Sequence, residues 1–309
     1  MTTRHQSCIS VVGQIQSNRN IRELADWLNG LHTEISGHFT DYEFVLVNNH
    51  CDQHDIDAVI DPLPEALRKN IFLLNLSAPV SRDNAFLAGL DRANGDYTVI
   101  FEFDFTAKPQ IVTQLWEHSQ SGADIVYLRA KERRLPLSGR LFYRVFYSIM
   151  QRYSGLHLDP LAHHTRIISR RALNSLLRLR ENSRYLKANY ALVGYNTAWI
   201  EVEEALYPDP ESSFGEQFRT SLVAITSFTT FLRTVLLWIF LFSVLVAVTA
   251  IFNAVKVKLT NMDIFGEHVE SLSGWAFLVV LMSTFFAITC LNLYIMSIYL
   301  SNIYSEIKN

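Results

Sequence analysis

Cysteine and charge are both scarce in this chain of 309 residues. Its three cysteines, Cys8, Cys51 and Cys290, have none of the spacings of a metal-binding or disulfide framework, which indicates a reduced compartment. The formal net charge of −3 supplies no overall basic field, so nucleic acid is not expected as a partner. The N-terminal segment lacks the apolar run of a secretory signal peptide, and we therefore expect the N-terminal domain to stay in the cytosol.

Charge is missing altogether from two long runs near the C-terminus, residues 234–254 and 271–305. Roughly 20 apolar residues are enough to cross about 30 Å of hydrocarbon as a helix. A buried core helix is the alternative for each run, but two such runs in succession favour transmembrane helices. We expect a multi-pass protein of the inner (plasma) membrane, with a short non-cytosolic loop at 255–270 and a cytosolic tail at 306–309. Residues 215–233 mix apolar and polar side chains, which predicts an amphipathic helix at the membrane interface.

Upstream of these segments, short β-rich runs alternate with helical patterns. The predicted strands are Cys8–Val12, Tyr42–Val47, Ile71–Leu74, Tyr97–Phe101 and Asp124–Leu128. This alternation predicts an α/β domain over residues 1–214, with a mostly parallel sheet and flanking helices. In such sheets, ligands bind beyond the carboxyl ends of the strands. The loops that follow the first four strands are therefore the candidate binding loops: 14–19, 48–53, 77–82 and 102–108.

An acidic pair, Glu102 and Asp104, ends the fourth predicted strand. At positions i and i+2 of an extended strand both side chains point to the same side, where they can hold a hard divalent cation against a diphosphate. Acid-x-acid triplets also occur by chance at solvated strand ends. The position beside the expected ligand crevice is what favours a metal site here.

Basic residues are concentrated in two stretches, and each is compatible with phosphate binding or with a solvated basic face. The first stretch contains Arg129, Lys131, Arg133, Arg134, Arg140 and Arg144; the second contains Arg166, Arg170 and Arg171. Between them, His163 and His164 are adjacent and would point in different directions on a regular element. We expect the two histidines to lie in a loop and not to bind a metal together.

The segment Ala85–Val99, followed by the acidic pair and Pro109, resembles family 2 glycosyltransferases of the GT-A fold. It is particularly similar to the polyprenyl-phosphate group that includes dolichol-phosphate mannose synthase and bactoprenol glucosyltransferase. Further matches are 10–12, 42–47, 139–144, Asp159-Pro160, Arg166 with Ser169-Arg170-Arg171, and Arg184-Tyr185-Leu186. The resemblance implies a GT-A-like domain that transfers a hexose, with inversion, from a UDP- or GDP-sugar to a polyprenyl phosphate lipid at the cytosolic face.

The resemblance also implies roles for particular residues. Mg²⁺ or Mn²⁺ would be held by Asp104 and Glu102, and the catalytic residues would be Asp104, Glu102 and Asp159. The nucleotide-binding candidates are Gln14, Gln16, Asn48, Asn49 and Arg82. The candidates for the acceptor phosphate are Arg134, Arg140, Arg144 and Arg166. The partners implied are a nucleotide sugar, the lipid carrier and the membrane, with a homo-oligomer possible.

Several family motifs are altered in this chain, and the changes occur mostly in the ligand-facing loops. The Pro-x-Tyr-Asn-Glu after the first strand is Gln-Ile-Gln-Ser-Asn at 14–18, the Asp-Asp-Gly-Ser after the second is Asn-Asn-His-Cys at 48–51, and the late Ser-Lys-Tyr is Ser212-Ser213-Phe214. Asparagine still accepts a hydrogen bond from a base or ribose but supplies no charge. The alternative function is therefore a catalytically impaired homologue that acts as a membrane-bound partner or regulator in cell-envelope glycan assembly.

Overall fold

The computed structural model describes residues 5–134, 137–179, 185–207, 214–266 and 275–308. The chain forms two compact units, Met1–Ser227 and Phe228–Asn309, which are described separately below. Parts of some predicted features lie outside the described residues: Arg184, Ser212-Ser213, residues 267–270 of the loop, residues 271–274 of the second apolar run, and Asn309.

The first unit is built on a seven-stranded sheet with the strand order β3-β2-β1-β4-β6-β5-β7. Its strands are β1 (His5–Ile15), β2 (Phe39–Asn48), β3 (Ile71–Asn75), β4 (Tyr97–Ile100), β5 (Ile125–Ala130), β6 (Ala162–Ser169) and β7 (Thr197–Val202). All neighbouring strands are parallel except β6, which runs antiparallel to both β4 and β5. The predicted mostly parallel sheet is confirmed, and each of the five predicted strands corresponds to one of β1 to β5.

Helices cover both faces of this sheet. The helices that precede the second unit are α1 (Asn18–His38), α2 (Gln53–Ile60), α3 (Glu65–Arg68), α4 (Arg82–Arg92), α5 (Ile111–Gln120), α6 (Leu137–Tyr153), α7 (Arg170–Arg178), α8 (Leu186–Leu192) and α9 (Phe214–Phe228). One core lies between the sheet and the helices α1 and α5, and a second lies between the sheet and α4, α7 and α8. This is the layered arrangement in which both faces of a parallel sheet are buried.

Sequence periodicity and capping explain the two helices nearest the candidate site. In α1 the buried residues recur at helical spacing, including Leu24, Leu28 and Leu31, so one apolar stripe faces the sheet. Helix α4 begins after Ser81, whose hydroxyl accepts a hydrogen bond from the backbone N–H of Asn84. Gly89 then allows α4 to lie directly on the sheet, because a Cβ there would be 2.4 Å from a methyl group of Val12.

The second unit consists of two long apolar helices, α10 (Phe231–Thr260) and α11 (Trp275–Lys308). By length and composition, α10 and the part of α11 over Phe277–Leu300 could each cross a membrane. Only 11% and 6% of the most apolar window in each is buried within the protein, unlike the core helix of a water-soluble domain. Such exposed apolar surface needs a lipid or protein environment to cover it.

The helix boundaries differ from those predicted. Helix α9 ends at Phe228 and α10 begins at Phe231, so the single predicted helix at 215–233 is divided between two elements. Helix α10 also continues past the predicted boundary at 254 and ends at Asn261, which adopts a left-handed conformation with φ of 51°. Lys256 and Lys258 therefore lie in the last turns of a helix, where positive side chains are favourable, and not in the predicted loop.

Candidate functional site

The four predicted binding loops meet at one edge of the sheet. Parallel pairing aligns Ile15 with Asn48 and Asn48 with Asn75, so the carboxyl ends of β1, β2 and β3 coincide. Side chains then join the loops in pairs. The Asn49 side chain bonds to the backbone of Val80, Arg82 pairs with Glu102, and Arg19 lies 3.5 Å from Asp104. This edge brings the predicted nucleotide and metal residues together.

Glu102 is buried behind this edge, with 4% of its surface exposed. Its Oε1 accepts a hydrogen bond from Arg82 Nη2 at 2.8 Å. Its Oε2 accepts two from Thr165, one from the backbone N–H at 2.8 Å and one from the hydroxyl at 3.0 Å. Burial alone would raise the pKa of Glu102, but Arg82, His163 and Thr165 together hold it below its ordinary value. Glu102 is thus a charged carboxylate whose two oxygens are both already engaged.

Asp104 lies at the exposed side of the same tip. It falls within a 3-10 turn, Phe103–Phe105, so it does not continue the strand as the i, i+2 pattern assumed. Its side chain is 56% exposed, and its nearest basic group is Arg19 Nη2 at 3.5 Å. Partial burial and repulsion from Glu102 raise the pKa of Asp104 above its ordinary value, although Arg82 and Arg19 act in the opposite direction. Of the acidic pair, Asp104 is the residue that faces solvent.

Asn48 and Asn49 form hydrogen bonds that shape the binding loops. Asn48 is buried; its Oδ1 accepts from the backbone N–H of Cys51 and its Nδ2 donates to Asn75 Oδ1. Asn49 both donates to the carbonyl oxygen of Val80 and accepts from the Val80 N–H, each at 2.9 Å. The next residue, His50, has a φ of 68°, a conformation that few non-glycine residues adopt. These two asparagines brace the loops as well as lining them.

Gln14 and Gln16 lie at the carboxyl end of β1. Gln14 is buried and donates from Nε2 to Oε1 of Gln16 at 2.8 Å. Its own Oε1 is buried without a hydrogen-bond partner among the residues that the structure describes. The backbone N–H of Gln16 donates to Asn20 Oδ1, which connects this strand end to the start of α1.

Asp159 lies beyond β5 and is held by two hydrogen bonds and an ion pair. Its Oδ2 accepts from the Tyr127 hydroxyl at 3.1 Å and lies 3.0 Å from Arg129 Nε, while its Oδ1 accepts from the Leu161 N–H at 2.9 Å. Burial, followed by the negative charge of Asp159, raises the pKa of Tyr127 to about 12. The arrangement fixes the carboxylate of Asp159 at the rim of a cavity between β5 and α8.

That cavity encloses about 220 Å³ and also contains the predicted phosphate ligand Arg166. Arg166 is 3% exposed, and its guanidinium lies 3.9 Å from the ring centre of Tyr190. The other three predicted acceptor residues lie elsewhere. Arg134 bonds to Glu132 and Tyr207, while Arg140 and Arg144 occupy exposed positions one turn apart on α6.

His163 and His164 lie in strand β6, so the predicted loop placement is wrong. They point to opposite faces, as adjacent residues of a strand must. His163 packs edge-on against Phe105, whereas His164 stacks on Phe86. Burial lowers the pKa of both imidazoles, and that of His164 falls well below its ordinary value. No group of three or more potential metal-binding side chains occurs in the described ranges.

Three residues that sequence reasoning missed contribute to this region: Thr165, Lys187 and Tyr190. Thr165 holds Glu102, and Lys187 and Tyr190 line the cavity beside Arg166. Thr165 belongs to His163-His164-Thr165, which replaces a Gly-Asp-Phe or Ser-Gly-Phe segment of the resembling family, but no role was predicted for it. Lys187 directly follows the matched segment Arg184-Tyr185-Leu186. Their chemistry depends on neighbours far along the chain, so no local pattern marked them.

Comparison with known proteins places the chain among relatives of glycosyltransferases. No family model matches it. An uncharacterized glycosyltransferase of Synechocystis is 23% identical over 273 residues, which are 86% of this chain and 82% of the relative. The bactoprenol glucosyl transferase of Shigella phage SfII is 26% identical over 257 residues, 82% of this chain and 78% of the relative. Among solved structures, glucosyl-3-phosphoglycerate synthase of Mycobacterium tuberculosis with Mn²⁺ and UDP-glucose aligns at a TM-score of 0.46 and 14% identity, over 72% of this chain and 77% of that chain. The sequence relatives confirm the resemblance to glycosyltransferases.

Proposed function

We propose that the protein is a membrane-bound glycosyltransferase that moves a hexose from a UDP- or GDP-sugar to polyprenyl phosphate at the cytosolic face. The observation that carries this proposal is the exposed carboxylate of Asp104, at the edge where the loops after β1 to β4 meet. The bactoprenol glucosyl transferases among the relatives support a lipid carrier as the acceptor. The apolar helices α10 and α11 support a membrane location for the reaction.

Of the acidic pair, Asp104 is the residue that can contact a divalent cation at this edge. Mg²⁺ and Mn²⁺ prefer oxygen ligands, and the half-exposed Asp104 carboxylate supplies one. Glu102 is buried and both of its oxygens already bond to Arg82 or Thr165, so direct contact with a cation would require Arg82 to move away. The cation would take its remaining ligands from the donor diphosphate and water, and would supply positive charge against the leaving nucleotide. We therefore assign Glu102 to holding Arg82 and the strand end in position.

The protein's own cations assist at the same edge. Arg82 has its guanidinium on Glu102 and Arg19 has its guanidinium near Asp104, so both lie close to the proposed diphosphate position. Guanidinium groups bind phosphate oxygens through directed hydrogen bonds. On the nucleotide side, Gln16 and Asn49 are the less buried of the four predicted amides. The buried Gln14 bonds to Gln16, and the buried Asn48 bonds to Cys51 and Asn75.

The acceptor requires little base catalysis in this proposal. A lipid phosphate is already anionic, and its attack on the anomeric carbon inverts the configuration without removal of a proton. Arg140, Arg144 and Arg166 are the proposed acceptor-side cations, and Arg134 belongs to the same basic stretch as Arg140 and Arg144. Asp159, held by Tyr127 and Arg129, is proposed to position the acceptor side, because its oxygens are already engaged.

A second function is favoured by one specific observation. Several side chains that would face the donor, among them Gln14, Asn48 and Glu102, are buried in hydrogen bonds within the protein. Side chains that bond to each other in this way are less able to bind a donor. This favours a catalytically impaired homologue that serves as a partner or regulator in cell-envelope glycan assembly.

A transfer assay separates the two functions. The full chain, purified in detergent, is incubated with radiolabelled UDP- and GDP-hexoses, polyprenyl phosphate and Mg²⁺ or Mn²⁺. We expect label in the lipid fraction and a loss of roughly 100-fold in Asp104→Asn, because a ligand of the charge-stabilising cation is removed. Asp26→Asn, an exposed position on α1, is the matched control and should transfer normally. Transfer that is indifferent to Asp104→Asn contradicts the metal assignment. No transfer, and no donor binding at millimolar concentration, supports the impaired homologue.

A further inference from the structure

Two cations, Arg166 and Lys187, line the cavity between β5 and α8. We name it the β5–α8 cavity and define it by Tyr127, Asp159, Arg166, Lys187, Tyr190 and Tyr195, which line it. Its volume of about 220 Å³ is several times the roughly 30 Å³ that one water molecule occupies in the liquid. The cavity is therefore large enough to admit a compact polar group as well as water.

Arg166 is the most buried charge in this cavity. Its Nε and Nη2 donate to the backbone carbonyls of His164 and His163, at 3.1 and 2.6 Å, and its planar face stacks on Tyr190. These partners hold the guanidinium in place but are all neutral. Within the described ranges, no carboxylate forms an ion pair with it. A buried cation without a counterion is costly, which makes the position favourable for an anion.

Lys187 adds a second cation, and the nearby carboxylates do not balance the two. Its ammonium group donates to the Ala162 carbonyl at 2.6 Å. Burial, with the neighbouring charges of Arg133 and Arg166, lowers the pKa of Lys187 to about 7, in spite of Glu102 and Asp83. Glu102 is already neutralised by Arg82, whereas Asp83, which accepts a hydrogen bond from the backbone N–H of Leu186, still acts on Lys187 by its charge. Asp159 at the rim is neutralised by Arg129. That leaves one carboxylate against the two cations.

A hydrogen-bond donor in the cavity also has no partner. The Tyr190 hydroxyl is buried and unpaired among the residues that the structure describes, on a side chain that is 5% exposed. Buried polar groups in native proteins are almost always satisfied, so such a group calls for a ligand or an ordered water. The cavity thus combines a fixed guanidinium, an ammonium and an unsatisfied hydroxyl.

We propose that the β5–α8 cavity binds a phosphate monoester group, with Arg166 and Lys187 as its counterions and the Tyr190 hydroxyl as a hydrogen-bond donor. A phosphate dianion matches two cations in charge and accepts several hydrogen bonds at once. The phosphate comes either from the lipid acceptor or from a soluble phosphate compound. The first source rests on the proposed function, whereas the site itself does not.

Binding of inorganic phosphate to the full chain in detergent tests the site directly, by isothermal titration calorimetry. We expect saturable binding, weakened about tenfold or more in Lys187→Met and by a smaller factor in Tyr190→Phe. Lys131→Met is the matched control because Lys131 is exposed and pairs only with a surface carboxylate, and it should bind as the unmodified chain does. Tyr190→Phe removes only an unpaired hydroxyl, so it should fold normally and keep the test valid even where Lys187→Met destabilises the protein. Absence of saturable phosphate binding overturns the proposal. So does a result in which Lys187→Met binds phosphate as tightly as Lys131→Met and Tyr190→Phe binds it as tightly as the unmodified chain.

Competition identifies the source of the phosphate. The chain is reconstituted into phosphatidylcholine vesicles with and without polyprenyl phosphate, and inorganic phosphate binding is measured again. Loss of binding with the lipid supports the cavity as the acceptor's phosphate site, and unchanged binding supports a site for a soluble phosphate. Failure of this proposal is distinguishable from failure of the proposed function. Transfer that depends on Asp104 without phosphate binding refutes the cavity alone, whereas phosphate binding without transfer refutes the glycosyltransferase activity alone.

Discussion

Glu102 illustrates how a residue at the expected position of a metal ligand can serve a different purpose. It receives a guanidinium from one side and two Thr165 donors from the other, so its charge is compensated inside the protein. A carboxylate with these partners resists protonation and cannot turn toward solvent without abandoning Arg82. Its contribution is therefore to the stability of the strand end, and through that to the position of Asp104.

Replacing Glu102 with Gln should destabilise the protein markedly. The substitution leaves Arg82 without a counterion and puts an amide N–H₂ where an acceptor is needed. Loss of one partner of a buried pair costs about 3–5 kcal/mol, and because Arg82 is 28% exposed we expect about 2–3 kcal/mol here. That corresponds to a melting temperature lower by roughly 5–10 °C. Thermal unfolding of the full chain in detergent, followed by tryptophan fluorescence, measures it.

The matched control for this prediction is Glu132→Gln. Glu132 also pairs with an arginine, Arg134, but both side chains are more than half exposed. Exposed pairs contribute about 1 kcal/mol or less, so the melting temperature should stay nearly unchanged. Equal melting temperatures for Glu102→Gln and Glu132→Gln would contradict the structural role of Glu102.

His164 makes the stability of the protein dependent on pH. In the fold, burial and nearby cations lower its pKa well below the 6.5 of an unfolded histidine. As the pH falls below 6.5, the unfolded chain gains a proton that the folded chain does not, so stability is lost toward lower pH. Each pH unit within this window costs at most about 1.4 kcal/mol for one group. Between pH 6.5 and 5.5, we expect the free energy of unfolding to fall by about 1 kcal/mol less in His164→Gln than in the unmodified chain. Unfolding measurements at each pH check this. His118→Gln, at an exposed site on α5, should keep the original pH dependence.

At the scale of secondary-structure elements, the contact between α4 and the sheet is the tightest feature near the site. Gly89 faces Val12 and Val47, and an added Cβ would lie 2.4 and 2.8 Å from their methyl groups. Both valines are fully buried and have restricted side-chain rotamers, so neither can move aside easily. Helix α4 also begins with Arg82, so a shift of this helix would disturb the Arg82–Glu102 pair.

Gly89→Ala should therefore lower the free energy of unfolding by about 1–3 kcal/mol through overpacking. The same substitution at Gly37, in α1, is the control. No atom lies within 4 Å of a Cβ built at that position, so Gly37→Ala should leave stability unchanged or raise it by up to about 1 kcal/mol. Unfolding measurements should thus show a loss of stability in Gly89→Ala and none in Gly37→Ala. Similar effects at both positions would refute the close packing of α4.

The alternation of strands and helices was predictable because local periodicity determines it. The strands β1 to β5 are apolar or alternating runs, and the carboxyl ends of parallel strands must share one edge, so the binding loops could be located before the structure was known. The partners of individual side chains could not. Asn49 and Val80 are 31 residues apart, and Glu102 and Thr165 are 63 residues apart. Such pairings depend on the three-dimensional arrangement of loops and strands, which a local sequence pattern does not contain.

At the scale of the whole molecule, the sequence predicted the two apolar helices but misjudged their ends. Apolar composition shows which stretch of the chain could lie in hydrocarbon, whereas the ends of a helix depend on its capping residues. Helix α10 continues through Lys256 and Lys258 because lysine is a good helix former, and it stops where Asn261 adopts a left-handed turn. Helices α10 and α11 pack against each other, and the rings of Phe240 and Tyr294 stack between them.

If α10 and α11 both cross the membrane, the connection between them must lie on the side opposite the sheet domain. This follows from chain topology alone, since two crossings return the chain to its starting side. The proposed function further requires the sheet domain to face the cytosol, where nucleotide sugars are made available. Single cysteines test both statements, in a background where Cys8, Cys51 and Cys290 are replaced. Phe265, 91% exposed between the helices, and Lys69, exposed in the sheet domain, are the positions to label.

We expect Phe265→Cys to react with a membrane-impermeant maleimide on intact cells, and Lys69→Cys to react only after the membrane is permeabilised. The reverse pattern would put the sheet domain outside the cytosol and remove its access to the donor. Labelling of both positions from the same side would mean that α10 and α11 do not make two crossings. The two apolar helices would then be covered by protein and not by lipid, and the polyprenyl phosphate acceptor would lose its structural basis.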